Sequence, residues 1–141
     1  MSYQYDYPRP AVTVDCVVFR IFNNRRQVML IRRSNAPFQN YWAFPGGFVD
    51  IEETLEQAAA RELYEESGIN EINLTQFHTY GDPLRDPRHQ TITIVYTGDI
   101  GQERTLRAGD DASEAGWFFV DQLPQLAFDH SKILKDILST K

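Results

Sequence analysis

One cysteine cannot close an internal disulfide, so Cys16 takes the stapled secreted scaffolds out of consideration. It sits in an apolar run, where a buried thiol of a cytoplasmic protein is the plain reading. Membrane spans are equally missing. No run is long enough to cross a bilayer, and the opening MSYQYDYPRP holds no apolar signal-peptide core. Basic residues are the minority, 14 Lys and Arg against 20 Asp and Glu, for a net charge of −6. Such a surface repels polyanions at long range, so no nucleic-acid partner and no membrane partner are expected. Histidine is scarce too. His78, His89 and His130 are scattered, give no zinc pattern, and are expected as surface or capping residues. No repeat or linker divides the chain. Its 141 residues suit one domain over residues 11–141, preceded by residues 1–10 as an arm or edge strand.

What is present is concentrated in residues 46–69, GGFVDIEETLEQAAARELYEESGI. The middle reads as one helix. Thr54 and Gln57 have the spacing of a capping box, and Gly68 is placed to end the helix in a left-handed conformation. Asp50 with Glu53 would cap equally well. Glu62, Glu65 and Glu66 stand three and four apart and share one face. They lie in the last turns, where the helix dipole is negative and each carboxylate is disfavoured by about 0.3–1 kcal/mol. For three glutamates alone, a solvated acidic helix end neutralised by Arg61 is the plainer reading. The flanking residues favour a divalent cation instead. Gly46 and Gly47 permit close backbone approach and offer a carbonyl ligand. Ala58 and Ala59, one turn before Glu62, are small enough to let the helix lie close on a sheet.

The rest of the chain supplies strands. Residues 11–20 form an apolar, β-branched run, and Asn23-Asn24 marks a hairpin turn returning through residues 28–31. A long loop, SNAPFQNYWAFPGG, follows; its aromatics argue against disorder. Residues 72–80 and 91–97 read as strands, with the turn-rich GDPLRDPRH between them. Residues 98–115 read as a polar connection and 116–120 as a short strand. Residues 123–128 suggest a helical turn before a last helix capped by Asp129 or Ser131. The order gives an α/β protein with a mixed sheet.

The segment around the glutamates resembles the signature of the Nudix hydrolases. That signature is a glycine, five residues, Glu, seven residues, then Arg-Glu-apolar-x-Glu-Glu-x-Gly-apolar. Gly47, Glu53, Arg61, Glu62, Leu63, Glu65, Glu66, Gly68 and Ile69 fill every fixed position. The resemblance implies a Nudix-type α/β/α sandwich with a mixed β-sheet, the signature helix bordering the active cleft. It implies Mg²⁺, with Mn²⁺ as a substitute, held by Glu62, Glu65 and Glu66 with the Gly47 carbonyl, consistent with all-oxygen donors. Arg61 would fix the carboxylates by charge-assisted hydrogen bonds, and Glu53 would be a structural or outer partner. Many relatives place an acidic general base some six positions before a tryptophan-containing strand. Here that is Asp111, with Asp110 and Glu114 as neighbours; a glutamate of the signature helix is the alternative.

Substrate contacts must come from elsewhere. Arg32, Arg33, Arg85 and Arg88 are candidates for phosphate or ribose, because guanidinium forks match phosphate oxygens. Phe38, Trp42 or Phe44 would stack a base, although the last two read equally well as core. YGDPLRDPR, DDASEAGWF and LPQLAFDHSKIL resemble ADP-ribose pyrophosphatases, and also the Nudix-like effector domains of NAD-metabolism regulators. The expected reaction is hydrolysis of a nucleoside diphosphate linked to another moiety, ADP-ribose to AMP and ribose 5-phosphate. Two alternatives stand beside it: hydrolysis of nucleoside triphosphates, oxidised ones included, and a non-catalytic ligand-sensing module. A sensor would tolerate loss of the metal glutamates, which are intact here, and would carry a DNA-binding domain. The oligomeric state is left open, with a homodimer as one expectation.

Overall fold

The computed structural model describes residues 2–100 and 112–140, with only the backbone of Ala112 and Ser113. Its strands are β1 (Ala11–Phe22), β2 (Arg25–Arg33), β3 (Trp42–Ala43), β4 (Gly46–Phe48), β5 (Thr75–Tyr80), β6 (Thr91–Asp99) and β7 (Ala112–Phe119). The helices are α1 (Leu55–Ser67) and α2 (His130–Leu138). The sheet runs β3-β2-β1-β6-β5, with β4 added to β1 and β7 to β2. Among the named strands of the described residues, β1 and β6 pair in parallel, Ala11 opposite Thr91 through Phe19 opposite Asp99, and the other pairs are antiparallel. This is the mixed sheet that the element order implies, set between helices as the Nudix resemblance implies.

β1 is apolar on both faces because both faces are covered. Val14, Cys16 and Val18 pack with Met29, Ile31, Leu63 and Ile69 beneath α1. Val17 and Phe19 pack with Val28, Leu30, Ile133, Leu134 and Ile137 beneath α2. Asn23 and Asn24 take φ of 52° and 63°, the two left-handed positions of a tight hairpin turn. They pair Phe22 with Arg25 and set the register of the hairpin.

Four local expectations give way to tertiary contacts. Strand β7 begins at Ala112, inside the stretch read as a polar connection, because its backbone pairs with Ile31–Arg33 of β2. Strand β5 begins at Thr75 rather than at residue 72. Ile72 and Leu74 instead pack against the core, crossing Gly98 of β6 so closely that a Cβ there would lie 2.8 Å from the Asn73 carbonyl. Residues 123–128 make no helical turn. They run beside β3, where Trp42 N–H donates to Gln125 O and Ala127 N–H to Trp42 O. Asp129 precedes α2 but makes no side-chain cap bond, and Ser131 lies inside the helix. Residues 2–10 carry no strand, and Tyr3, Tyr5 and Tyr7 are exposed.

The capping box of α1 is complete: Gln57 N–H donates to Thr54 Oγ1 at 3.0 Å and Thr54 N–H to Gln57 Oε1 at 2.9 Å. Gly68 closes the other end at φ 80°. Because Thr54 is the element that fixes where α1 starts, Thr54→Ala should cost about 1 kcal/mol of stability. Urea unfolding monitored by far-UV circular dichroism measures this, and an unchanged midpoint would show that Asp50 and Glu53 cap the helix without it.

Candidate functional site

The site begins where α1 lies on β4. Gly46 faces Asp15 in the ladder, and any Cβ on it would strike the Val14 carbonyl and the Asp15 carboxylate. On Gly47 a Cβ would fall on the Glu62 carboxylate, 2.8 Å from Oε1. Gly46 is therefore required by its close approach to β1, whereas a Cβ on Gly47 would displace the Glu62 carboxylate. Gly46 N–H donates to Glu66 Oε1 at 2.8 Å, anchoring the second carboxylate to the same strand.

Arg61 organises the acid groups around it. Its Nε donates to Glu53 Oε2 at 2.6 Å and its Nη2 to Glu53 Oε1 at 2.9 Å, a two-pronged pair. Nη1 donates to Glu62 Oε2 at 2.9 Å and to Glu65 Oε1 at 3.2 Å, while Nη2 also reaches the Phe48 carbonyl. The Arg61 hydrogen bonds hold the Glu53 carboxyl down at about 2, helped by the Asp50 backbone N–H. Glu53 in turn raises the Arg61 pKa.

Glu62 and Glu66 line a cleft of about 420 Å³; Glu65, 56% exposed at its side chain, does not. Asp15, Gly47, Arg33, Arg85, Arg88, Phe128 and His130 share that cleft. Among the described residues no three acidic, histidine or cysteine side chains stand together as a ready metal cage. The donors that a divalent cation would meet here are the Glu62 and Glu66 carboxylates and the Gly47 carbonyl. A carbonyl engaged in a ladder keeps a second lone pair. These all-oxygen donors fit a hard cation.

The four arginines separate. Arg32 points away from the cleft and pairs with Glu114 at 2.8 Å and with the Asn40 carbonyl. Arg33 lines the cleft, its Nε donating to Pro37 O at 2.8 Å. Arg85 is nearly buried, and its Nε and Nη2 are both taken by Asp129, at 2.9 and 2.8 Å. Burial opposes its charge, but the Asp129 bonds outweigh burial and raise its pKa. Arg88 is 40% exposed at its side chain and forks onto Asp86. Phe38 is not part of the cleft lining; it packs against Phe128, which is, at 4.9 Å between ring centroids. Trp42 packs edge-on to Phe118 in the core, whereas Phe44 lies in the cleft stacked on His130 at 4.6 Å. Asp111 and Asp110 lie outside the described residues, and Glu114 is the Arg32 partner.

His130 corrects the expectation of a surface or capping residue; only His78 and His89 are exposed. Its Nδ1 accepts Phe44 N–H at 3.2 Å, which puts the ring proton on Nε2, 3.8 Å from Asp15 Oδ1. Burial pushes its pKa down, against the pull of Asp15. Asp15 Oδ2 also accepts from Thr93 at 2.6 Å. Sequence reasoning missed Asp15, Asp86, Phe128 and His130 as cleft residues. The one available signal was Asp15, a charge in the middle of a buried strand.

Comparison with known proteins identifies the family. A family model described as the NUDIX domain matches residues 11–137. An ADP-ribose pyrophosphatase of Methanocaldococcus jannaschii is 45% identical over 136 residues, covering 96% of this chain and 77% of that protein. The ADPR-responsive transcriptional repressor NtrR of Acinetobacter baylyi is 37% identical over 134 residues; they cover 92% of this chain but 54% of the repressor. The NUDIX domain of Shewanella oneidensis NrtR, solved with ADP ribose, superimposes with a TM-score of 0.86 at 30% identity, covering 96% of this chain and 92% of that one. The chain belongs to the Nudix family, whose hydrolases generally use a divalent metal.

The Glu53 carboxyl sits well below the 4.5 of a free glutamate, so its contribution to stability is complete above about pH 4.5 and is lost as pH falls towards 2. Glu53→Gln should therefore be less stable than the parent at neutral pH, with the difference shrinking below pH 4.5. Urea midpoints of both proteins from pH 7 to pH 3 measure it; a pH-independent difference would remove the Arg61 pairing as its cause.

Proposed function

We propose that this chain is a Mg²⁺-dependent pyrophosphohydrolase that cleaves ADP-ribose to AMP and ribose 5-phosphate. The observation that carries the reading is one cleft shared by the carboxylates of Glu62 and Glu66 and the guanidiniums of Arg33 and Arg88. The likeness to an ADP-ribose pyrophosphatase and to an ADP-ribose-binding Nudix domain supports the choice of substrate. When bound, Mg²⁺ neutralises diphosphate charge and activates a water for attack on phosphorus. Glu62 and Glu66 would hold it with the Gly47 carbonyl, and Glu65, which shares Arg61 Nη1 with Glu62, would complete the set. Arg61 keeps Glu62 and Glu65 in place from the side. Arg88 and Arg33 bind phosphate or ribose oxygens, and their fixed positive charge favours the anionic transition state. Arg85 acts through position, tying the 81–90 loop to the start of α2. The base that takes the proton from water is Asp111 or a glutamate of α1. A cytoplasmic homodimer completes the proposal; the buried thiol of Cys16 is compatible with that compartment.

Glu66→Gln should lower kcat by more than about 100-fold, beyond the roughly 10–100-fold that loss of an outer partner costs. Glu62→Gln should do the same. Gly47→Ala should leave the fold standing, because its Cβ meets only the end of the Glu62 side chain, yet displace that carboxylate and weaken cation-dependent activity. Product analysis on a panel of nucleotide sugars and triphosphates, with Mg²⁺ and with chelator, tests all three. Full turnover in chelator would eliminate the metal mechanism, and a higher kcat/KM for a triphosphate would replace the substrate. ADP-ribose binding without turnover would favour a sensing module.

Arg88→Ala should cost about 1.5–3 kcal/mol of transition-state stabilisation, the range for a bond to a charged group, and should lower Tm less than Arg85→Ala does, because the buried Asp86 keeps the Arg88 backbone N–H as a donor. Arg85→Ala leaves Asp129 unpaired and should cost stability first, about 3 kcal/mol. Kinetics paired with thermal melts separate the two roles; equal melting points for the two variants would cancel the distinction.

A further inference from the structure

Phe128 lies at φ 52°, a left-handed conformation in which a bulky aromatic is an outlier. Glycine or asparagine would make the same turn with less strain, so the turn alone does not account for the ring. What the ring touches does. Arg33 Cζ lies 4.9 Å from its centroid and Arg88 Cζ 5.7 Å, two cations from separate parts of the chain on one aromatic in the cleft. Phe38 at 4.9 Å and His130 at 5.6 Å buttress the ring. Each arginine is also tied at its Nε, Arg33 to the Pro37 carbonyl and Arg88 to Asp86.

We propose that Phe128 is a positioning residue that holds Arg33 and Arg88 as one two-guanidinium receptor for the substrate diphosphate. This rests on the reading of the cleft as a diphosphate site. Two guanidiniums in one cleft repel each other, and whatever rotamer freedom they retain is lost when they close on an anion. A π face attracts both cations and holds them before substrate arrives. The rotamer cost of binding is then met in the folded protein, and the benefit appears in substrate affinity rather than in the chemical step.

The test is kcat and KM for ADP-ribose with Mg²⁺ for the parent, Phe128→Leu, Phe128→Tyr, Arg33→Ala/Arg88→Ala and that double variant carrying Phe128→Leu. Thermal melts check that each protein is folded. Phe128→Leu should raise KM about tenfold with kcat within about twofold, a loss of uniform binding. Tyrosine keeps the π face and should restore KM most of the way. In the double-arginine background the leucine change should move KM by less than about twofold, because the groups it acts through are gone. An undiminished leucine effect in that background overturns the proposal, since the ring would then touch substrate itself or act through the fold. Equal KM for the tyrosine and leucine variants overturns it as well. A parent that leaves ADP-ribose intact sinks the proposed function alone. The inference is then read from calorimetric Kd values for inorganic pyrophosphate on the same five proteins, and a parent that binds no pyrophosphate refutes it.

Discussion

Helix α1 lies close on the sheet where its own inward side chains are small. Ala58 and Ala59 are fully buried, and the Cys16 thiol donates to the Ala59 carbonyl at 3.3 Å. Gly46 and Gly47 have no room for a Cβ against β1 and Glu62. This close approach sets the position of everything downstream on the helix. With α1 one side chain further out, Glu66 would lose the Gly46 N–H and Glu62 would leave the cleft wall. The cost is electrostatic. The last turn of α1 carries no basic residue, so the carboxylates face both one another and the negative end of the dipole.

Arg61 offsets that cost without occupying the cleft itself. Its guanidinium spends its donors on Glu53, Glu62, Glu65 and the Phe48 carbonyl. Lysine, with one compact charge, could not span so many acceptors in one plane. The loop before α1 is thereby tied to the helix through Glu53, whose second role is to accept the Asp50 N–H. The same few residues thus set the loop and leave Glu62 and Glu66 lining the cleft.

The other cleft residues are assembled from distant parts of the chain. The parallel pairing of β1 with β6 puts Asp15 beside Thr93, and α2 brings His130 under Phe44. The Arg85–Asp129 pair joins the 81–90 loop to the start of α2, which explains why Asp129 does not cap its own helix. Its carboxylate has a stronger partner in the Arg85 guanidinium. A buried neutral His130 and a paired Asp15 give this region a polar floor whose groups are mutually satisfied.

The sequence by itself determined the elements whose cause is local. The Thr54–Gln57 box, the Gly68 stop, the Asn23-Asn24 turn and the apolar run of β1 each depend on residues within a few positions of one another. The glutamate spacing on α1 is of the same kind, as is the signature that marks the family. Tertiary structure decided what depends on partners far along the chain. It took Asp129 from capping to Arg85, buried His130, sent Arg32 away from the cleft to Glu114, and left Glu65 off the cleft wall that Glu62 and Glu66 line. It also turned residues 123–128 from a helical turn into an extended segment beside Trp42. The reason is common to all of them. A side chain that can bond equally well to its own backbone, to water or to a distant ion is assigned only by the geometry that brings one of those partners within 3 Å.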